Sequence, residues 1–136
     1  MPVGVRIIAW CLFCIIDGAA DAFMYHLKSP EKKVKLNEHY ILSARRLIVG
    51  IGILFELDRY VLPTAIVFIM YQPFFHNNAY YISRHLLDRR VYSISIFNQS
   101  QQSTAKLTKF FDPYVRIILS TFATYISVIL SCLYSM

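Results

Sequence analysis

"LIVGIGILFELDRYVLPTAIVFIMY", residues 47–71, decides how this chain is threaded. It reads either as one long apolar helix with Glu56, Asp58 and Arg59 at its centre, or as two helices joined by a tight turn at "ELDR", residues 56–59. The surrounding composition makes the choice matter. A chain of 136 residues that is 57% hydrophobic and 16% charged has too little polar surface to cover a soluble domain of its size. Its apolar residues gather into blocks near the ~20 residues that a helix needs to cross a hydrocarbon core of about 30 Å. The sequence therefore predicts a single all-α domain, residues 1–136, that is a polytopic membrane protein.

Charge then selects the threading. Of the 14 Lys and Arg, six (Lys28, Lys32, Lys33, Lys35, Arg45, Arg46) follow the first apolar block, and six (Arg84, Arg89, Arg90, Lys106, Lys109, Arg116) lie between the third block and the start of the last. Only Arg6 and Arg59 remain. Two helices in the middle put both clusters on one membrane face, as the positive-inside tendency requires of short loops, whereas a single helix splits them evenly. A single helix would also bury three charges at the bilayer centre, at roughly 2.5–3.5 kcal/mol each. The reading is a four-transmembrane-helix bundle with spans at about 5–27, 40–57, 60–83 and 113–134, and three spans as the alternative. Both basic loops are expected in the cytoplasm and both termini outside, in a cell inner membrane.

The first block is read as a retained span rather than a signal peptide, because two aspartates interrupt it and no basic leader or small-residue cleavage site frames it. Between the spans, "SPEKK" (residues 29–33) offers Ser29 as a helix cap and Pro30 at the first helical position. "FFDPYVR" (residues 110–116) repeats the device with Asp112 and Pro113. "VYSISIF" (residues 91–97) alternates like a strand but has no partner strand, and is read as interfacial or irregular. Tyr40, Tyr60, Tyr80, Tyr81, Tyr92, Phe110, Phe111 and Tyr114 fall near span ends, where amphipathic rings favour the headgroup level.

Inside the first span, "CIIDGAADAFMYH" (residues 14–26) carries Asp17 and Asp21. Their spacing of four puts both on one helix face, with Cys14, Met24 and Lys28 continuing the stripe. Two adjacent carboxylates in a low dielectric need a shared proton, an arginine partner or a metal. The plainer reading is a structural ion-pair network with Arg45 or Arg46. The chemical alternative is a metal- or proton-handling site, or a lipid-modifying enzyme, using Asp17, Asp21 and His76; a divalent metal is then the one cofactor the residues suggest. His76 follows Pro73, which cannot donate to Ile69 and so loosens the helix beside Asn77 and Asn78. His26, His39 and His85 are read as interfacial. Gly18, Ala19 and Ala20 are small enough to admit another helix beside the aspartates.

Ser120, Thr124, Ser127, Ser131 and Ser135 recur at spacings of four and three, marking a helix-packing face on the last span; Gly50 and Gly52 serve similarly on the second. Cys11 and Cys14 form a C-x-x-C within an apolar helix with no second cysteine pair, and are read as packing. No nucleotide-binding glycine loop, H-E-x-x-H or G-x-S-x-G occurs. The net charge of +6 lies beside the membrane, where anionic headgroups rather than nucleic acid account for it.

D-x-x-x-D in the first span, His39 and Arg46 entering the second, "PFFHN" at residues 73–77 and "NQSQQST" at 98–104 together resemble small multi-span membrane proteins, of no assigned function, from phages and mobile elements of Bacteroidetes bacteria. The resemblance covers most of the chain and implies a phage or bacterial inner-membrane setting. It supplies no chemistry, and this chain has His76 where the third-span motif would lead one to expect an acidic residue. The functional expectation is a non-enzymatic membrane protein that assembles with itself or with a membrane partner through the hydroxyl face of the last span.

Overall fold

A computed structural model of the chain describes residues 2–27, 36–55, 58–89, 94–95 and 112–134. Among these the regular structure is helical: α1 (Val3–Leu27), α2 (Leu36–Leu54), α3 (Val61–Leu87) and α4 (Pro113–Tyr134), with a 3-10 turn at Asp58–Tyr60. That turn answers the question posed by residues 47–71, since the apolar run is two helices and not one. Two of the four, over Val3–Tyr25 and Pro113–Tyr134, are long and apolar enough to cross a membrane by length and composition. The 19 residues of α2 reach about 28 Å, close to the core thickness. Helix α2 begins earlier and ends sooner than the span read from hydropathy.

Specific contacts fix the order. Trp10 lies against Phe68 and Gly18 against His76, the same offset along both chains, so α1 and α3 run parallel. Tyr60 meets Tyr134, Tyr71 meets Thr124 and Arg116 meets Tyr81, so α4 runs antiparallel to α3. Arg6 reaches Ile53 and Phe55, and Asp17 reaches Arg46, so α2 is antiparallel to α1. The result is an up-down-up-down bundle in which α1 ends, α2 begins, α3 ends and α4 begins at one and the same end. The connections 28–35 and 90–111 both depart from that end.

The packing is uneven. Helices α1, α3 and α4 form the tight part, with α3 in the middle, and α2 stands further off. The apolar core fills the half near the α2–α3 turn: Val3, Ile7, Trp10, Cys14, Val67, Phe68, Tyr71, Ala123 and Leu130. Trp10 stacks on Phe68 with ring centroids 4.8 Å apart and donates its indole N–H to the Phe68 carbonyl oxygen at 2.9 Å. Such a stack contributes about 0.5–1.5 kcal/mol beyond its burial. Outward-facing positions are large and apolar: Leu12, Ile16, Ile48, Ile69 and Val128 are all more than half exposed.

The α1–α3 crossing depends on one missing side chain. A Cβ at Gly18 would lie 2.2 Å from the His76 carbonyl oxygen, which is backbone and cannot swing aside. Of the two glycines on α2, Gly50 abuts the Trp10 ring, while Gly52 has open space around it, so the packing role read from sequence holds for the first only. On α4, Asp112 caps the helix by accepting the Val115 N–H at 2.8 Å, as its place before Pro113 predicts. The "SPEKK" cap and the polar stretch "NQSQQSTAKLTK" (residues 98–109) lie outside the described residues, as does "VYSISIF" apart from Ile94 and Ser95, which have no regular structure.

Gly18→Ala should therefore destabilise the protein in detergent by about 1–3 kcal/mol, the usual range for overpacking. Gly52→Ala should be neutral or slightly stabilising, because a helical glycine gains from a methyl group where nothing obstructs it. Thermal unfolding of the two purified variants, followed by circular dichroism, checks the contrast.

Candidate functional site

The inward face of α1 is a single stripe at alternating spacings of four and three: Val3, Ile7, Trp10, Cys14, Asp17 and Asp21, all buried. Its first four members are apolar or thiol and its last two are carboxylates, so one helix face supplies both the core and the site. Met24, which sequence spacing would add to this face, is instead exposed. Asp17 sits ~21 Å along the helix from Val3, at 1.5 Å per residue, toward the end with the basic connections.

Helix α2 brings two consecutive arginines to these carboxylates. Arg46 donates from Nε to Asp17 Oδ2 at 2.6 Å and from Nη2 to Asp21 Oδ2 at 2.6 Å. Arg45 donates from Nη2 to Asp17 Oδ1 and, at 3.3 Å, to Asp21 Oδ1. Every one of the four carboxylate oxygens thus accepts a guanidinium N–H. Two negative and two positive charges balance within the cluster. Such charge-assisted contacts are about twice as strong as neutral ones, and they strengthen further where water is excluded.

Helix α3 completes the cluster with His76. Its Nε2 lies 2.7 Å from Arg46 Nη2, 3.1 Å from Asp21 Oδ2 and 3.4 Å from Asp17 Oδ2, and its Nδ1 lies 3.2 Å from Asn77 Oδ1. Nε2 either accepts from Arg46 Nη2, with the ring proton on Nδ1 facing Asn77 Oδ1, or carries a proton that it donates to Asp21 Oδ2, which can only accept. Pro73 sits inside α3, which is continuous from Val61 to Leu87, and both Pro73 and His76 are buried. The close approach of Gly18 closes that side. The lone-pair atoms of Asp17, Asp21 and His76 come within 4.8 Å of one another.

The other candidate residues divide. Ser120 and Ser127 lie on the inner face of α4 with buried Arg116, Ala123 and Leu130, while Thr124 and Ser131 sit one position round, at its edge. Thr124 still reaches inward, with its hydroxyl 2.9 Å from that of Tyr71, and Ser131 lies beside Gly4. This face packs within the chain against α3 and α1. Ser120, Thr124 and Ser127 also donate back to Ile117, Ser120 and Ala123 carbonyls, which satisfies their hydroxyls without a partner helix. Ser135 and the side chains of His26 and His39 lie outside the described residues. His85 is more than two turns from His76 on α3 and takes no part in the cluster. A shallow depression lined by Arg59, Tyr60, Pro63, Leu130 and Leu133 lies at the opposite end of the bundle.

Sequence reasoning passed over Arg6, treating it only as a stray charge. It is buried in α1 and donates to the Ile53 carbonyl oxygen at 2.5 Å and to that of Phe55, carbonyls that the end of α2 leaves open. Its place near the N-terminus of an apolar helix gave no signal of a target more than forty positions away. Asn77, which orients the His76 ring, was noted only as a polar neighbour. No family model, curated protein or solved structure matches the chain.

Removing one member of such a buried pair leaves its partner uncompensated, which typically costs about 3–5 kcal/mol. Arg46→Ala should lose stability of that order, because Asp17, Asp21 and His76 all lose a donor together. Arg45→Ala should cost less, since that side chain is 40% exposed against 23% for Arg46. Melting temperatures of the two variants in one detergent decide the ranking.

Proposed function

We propose that this chain is a non-catalytic, four-span integral membrane protein whose Asp17, Asp21, Arg45, Arg46 and His76 form an internal lock holding α2 in the bundle. The observation that carries the reading is its inside-out distribution of polarity. The carboxylates and His76 are buried and matched to arginines, while the outer faces of all four helices carry large apolar side chains, from Ile8 and Ile16 on α1 to Val128 and Leu133 on α4. A water-soluble fold shows the reverse, and an apolar outer surface on every helix is what lipid solvates.

The lock explains how α2 tolerates two arginines near its middle. A lone arginine at that position costs several kcal/mol in lipid, and each guanidinium here meets carboxylate oxygens instead. This revises the charge argument, because Arg45 and Arg46 act as counterions within the membrane. Ten basic residues still lie in the connections and helix ends on one side, against Arg6 and Arg59 on the other, and Arg6 is itself engaged as a cap. That asymmetry supports both basic connections being cytoplasmic, beside anionic headgroups, in a bacterial or phage-infected inner membrane.

A charge-neutral cluster whose carboxylates all accept from guanidiniums offers no free base or nucleophile, which favours a structural role over catalysis. With the α4 hydroxyl face used inside the chain, assembly with a second copy or a membrane partner falls to the outer apolar faces.

Threading is open to direct test. In a chain freed of native cysteines, a cysteine placed at Lys33 or Gln102 should resist a membrane-impermeant thiol reagent in intact cells, and one placed at Asp58 should react. Reaction at Gln102 with protection at Lys33 would exclude the four-span arrangement.

A further inference from the structure

We propose that Asp17, Asp21 and His76 form a binding site for a divalent transition-metal ion, for which the Arg45–Arg46 pair is the resident and exchangeable substitute. The geometry of the three acceptors carries the idea. His76 Nε2 stands 3.1 Å from Asp21 Oδ2 and 3.4 Å from Asp17 Oδ2. In the tautomer with the ring proton on Nδ1, facing Asn77 Oδ1, Nε2 turns a lone pair toward Arg46 and both carboxylates. In that tautomer the three acceptors converge, and a cation in contact with all of them satisfies them together. Arg46 meets that need, with Nε 2.6 Å from Asp17 Oδ2 and Nη2 2.6 Å from Asp21 Oδ2 and 2.7 Å from His76 Nε2.

The two separations from His76 suit a metal, and all three donor atoms lie within 4.8 Å of one another. Ligand bonds of about 2.0–2.1 Å place neighbouring donors ~3.3 Å apart in a tetrahedron and ~2.9 Å apart in an octahedron. Two carboxylates and one imidazole make a borderline-hard donor set, suited to zinc, manganese or ferrous iron rather than to copper(I) or calcium. Three protein ligands leave further coordination positions on the α2 side, where the arginines now lie.

The charge balance makes exchange feasible without a buried excess of either sign. Two guanidiniums and one divalent cation carry the same charge, so either neutralises Asp17 and Asp21. Neither arginine is sealed in, for the Arg45 and Arg46 side chains are 40% and 23% exposed and lie about ten positions, ~15 Å, from the α2 end that meets the basic connections. Long arginine stems can carry their heads outward to headgroups from such a depth. The ligands themselves would stay in place, because Asp17 and Asp21 flank Gly18, whose backbone is wedged on that of His76. Metal entry therefore releases the grip of α2 on α1 and α3, coupling a cation to the position of one helix.

The test is a Co²⁺ titration of the full chain in detergent, with Cys11, Cys14 and Cys132 replaced by alanine to remove thiol ligands. Wild type should bind one Co²⁺ with visible d–d absorption. Arg46→Gln should bind it at least about tenfold more tightly, since the fraction of protein in which the site is blocked by Arg46 no longer reduces the apparent affinity. Asp21→Asn and His76→Gln should each weaken binding by a similar factor or abolish it. Should Arg46→Gln fail to fold, Arg46→Lys keeps the charge but loses the fork, and is expected to shift affinity in the same direction. The proposal is overturned if neither Arg46 variant binds more tightly than wild type, or if Asp21→Asn and His76→Gln bind Co²⁺ as wild type does.

Discussion

Two carboxylates buried side by side in an apolar bundle must be matched atom for atom, and the rest of this structure is arranged around that requirement. Asp17 and Asp21 present four oxygens, and Arg45 and Arg46 present the N–H groups that meet them. Consecutive residues on a helix point about 100° apart, so the pair can converge on one target only because both side chains are long. This also explains why α2 can stand further off than the other helices. Its attachment runs through extended guanidinium arms near its middle and through Arg6 at its C-terminal end, where α1 reaches back to the open carbonyls of α2.

The tight packing of α1 on α3 serves the same end. Gly18 lies between the two aspartates in sequence, and its lack of a side chain lets the backbone of His76 come into contact. That contact sets His76 Nε2 at 3.1 Å from Asp21 and 2.7 Å from Arg46. A methyl group at Gly18 would thus disturb the core and the polar cluster together. The apolar half, anchored by Trp10 on Phe68, holds the other end of the same crossing.

Much of this was legible in the sequence, for identifiable reasons. The i, i+4 spacing of Asp17 and Asp21 fixes a shared face regardless of tertiary context, and the expense of exposing carboxylates to hydrocarbon turns that face inward. Asp112 before Pro113 specified a helix start through local chemistry alone. The turn at Asp58–Tyr60 followed from the cost of three central charges. What escaped detection depended on contacts distant in sequence. The partner of Arg6 lies on another helix, and the importance of Gly18, rather than Ala19 or Ala20, depends on the rotation of α1 against α3. The α4 stripe was displaced by one position since both hydroxyls and apolar residues recur at the same period, and burial follows Arg116, Ala123 and Leu130.

The central claim is that Asp21 and Arg46 stabilise the bundle through each other. A double-mutant cycle on unfolding free energy in one detergent, with Asp21→Asn, Arg46→Gln and the combined variant, measures that directly. The account predicts that the combined variant loses less than the sum of the two single losses, by about 0.5–3 kcal/mol, as residues in one hydrogen-bonded charge network do. Losses that add to within about 0.5 kcal/mol would mean the two residues act independently, and the lock between α1 and α2 would have to be abandoned.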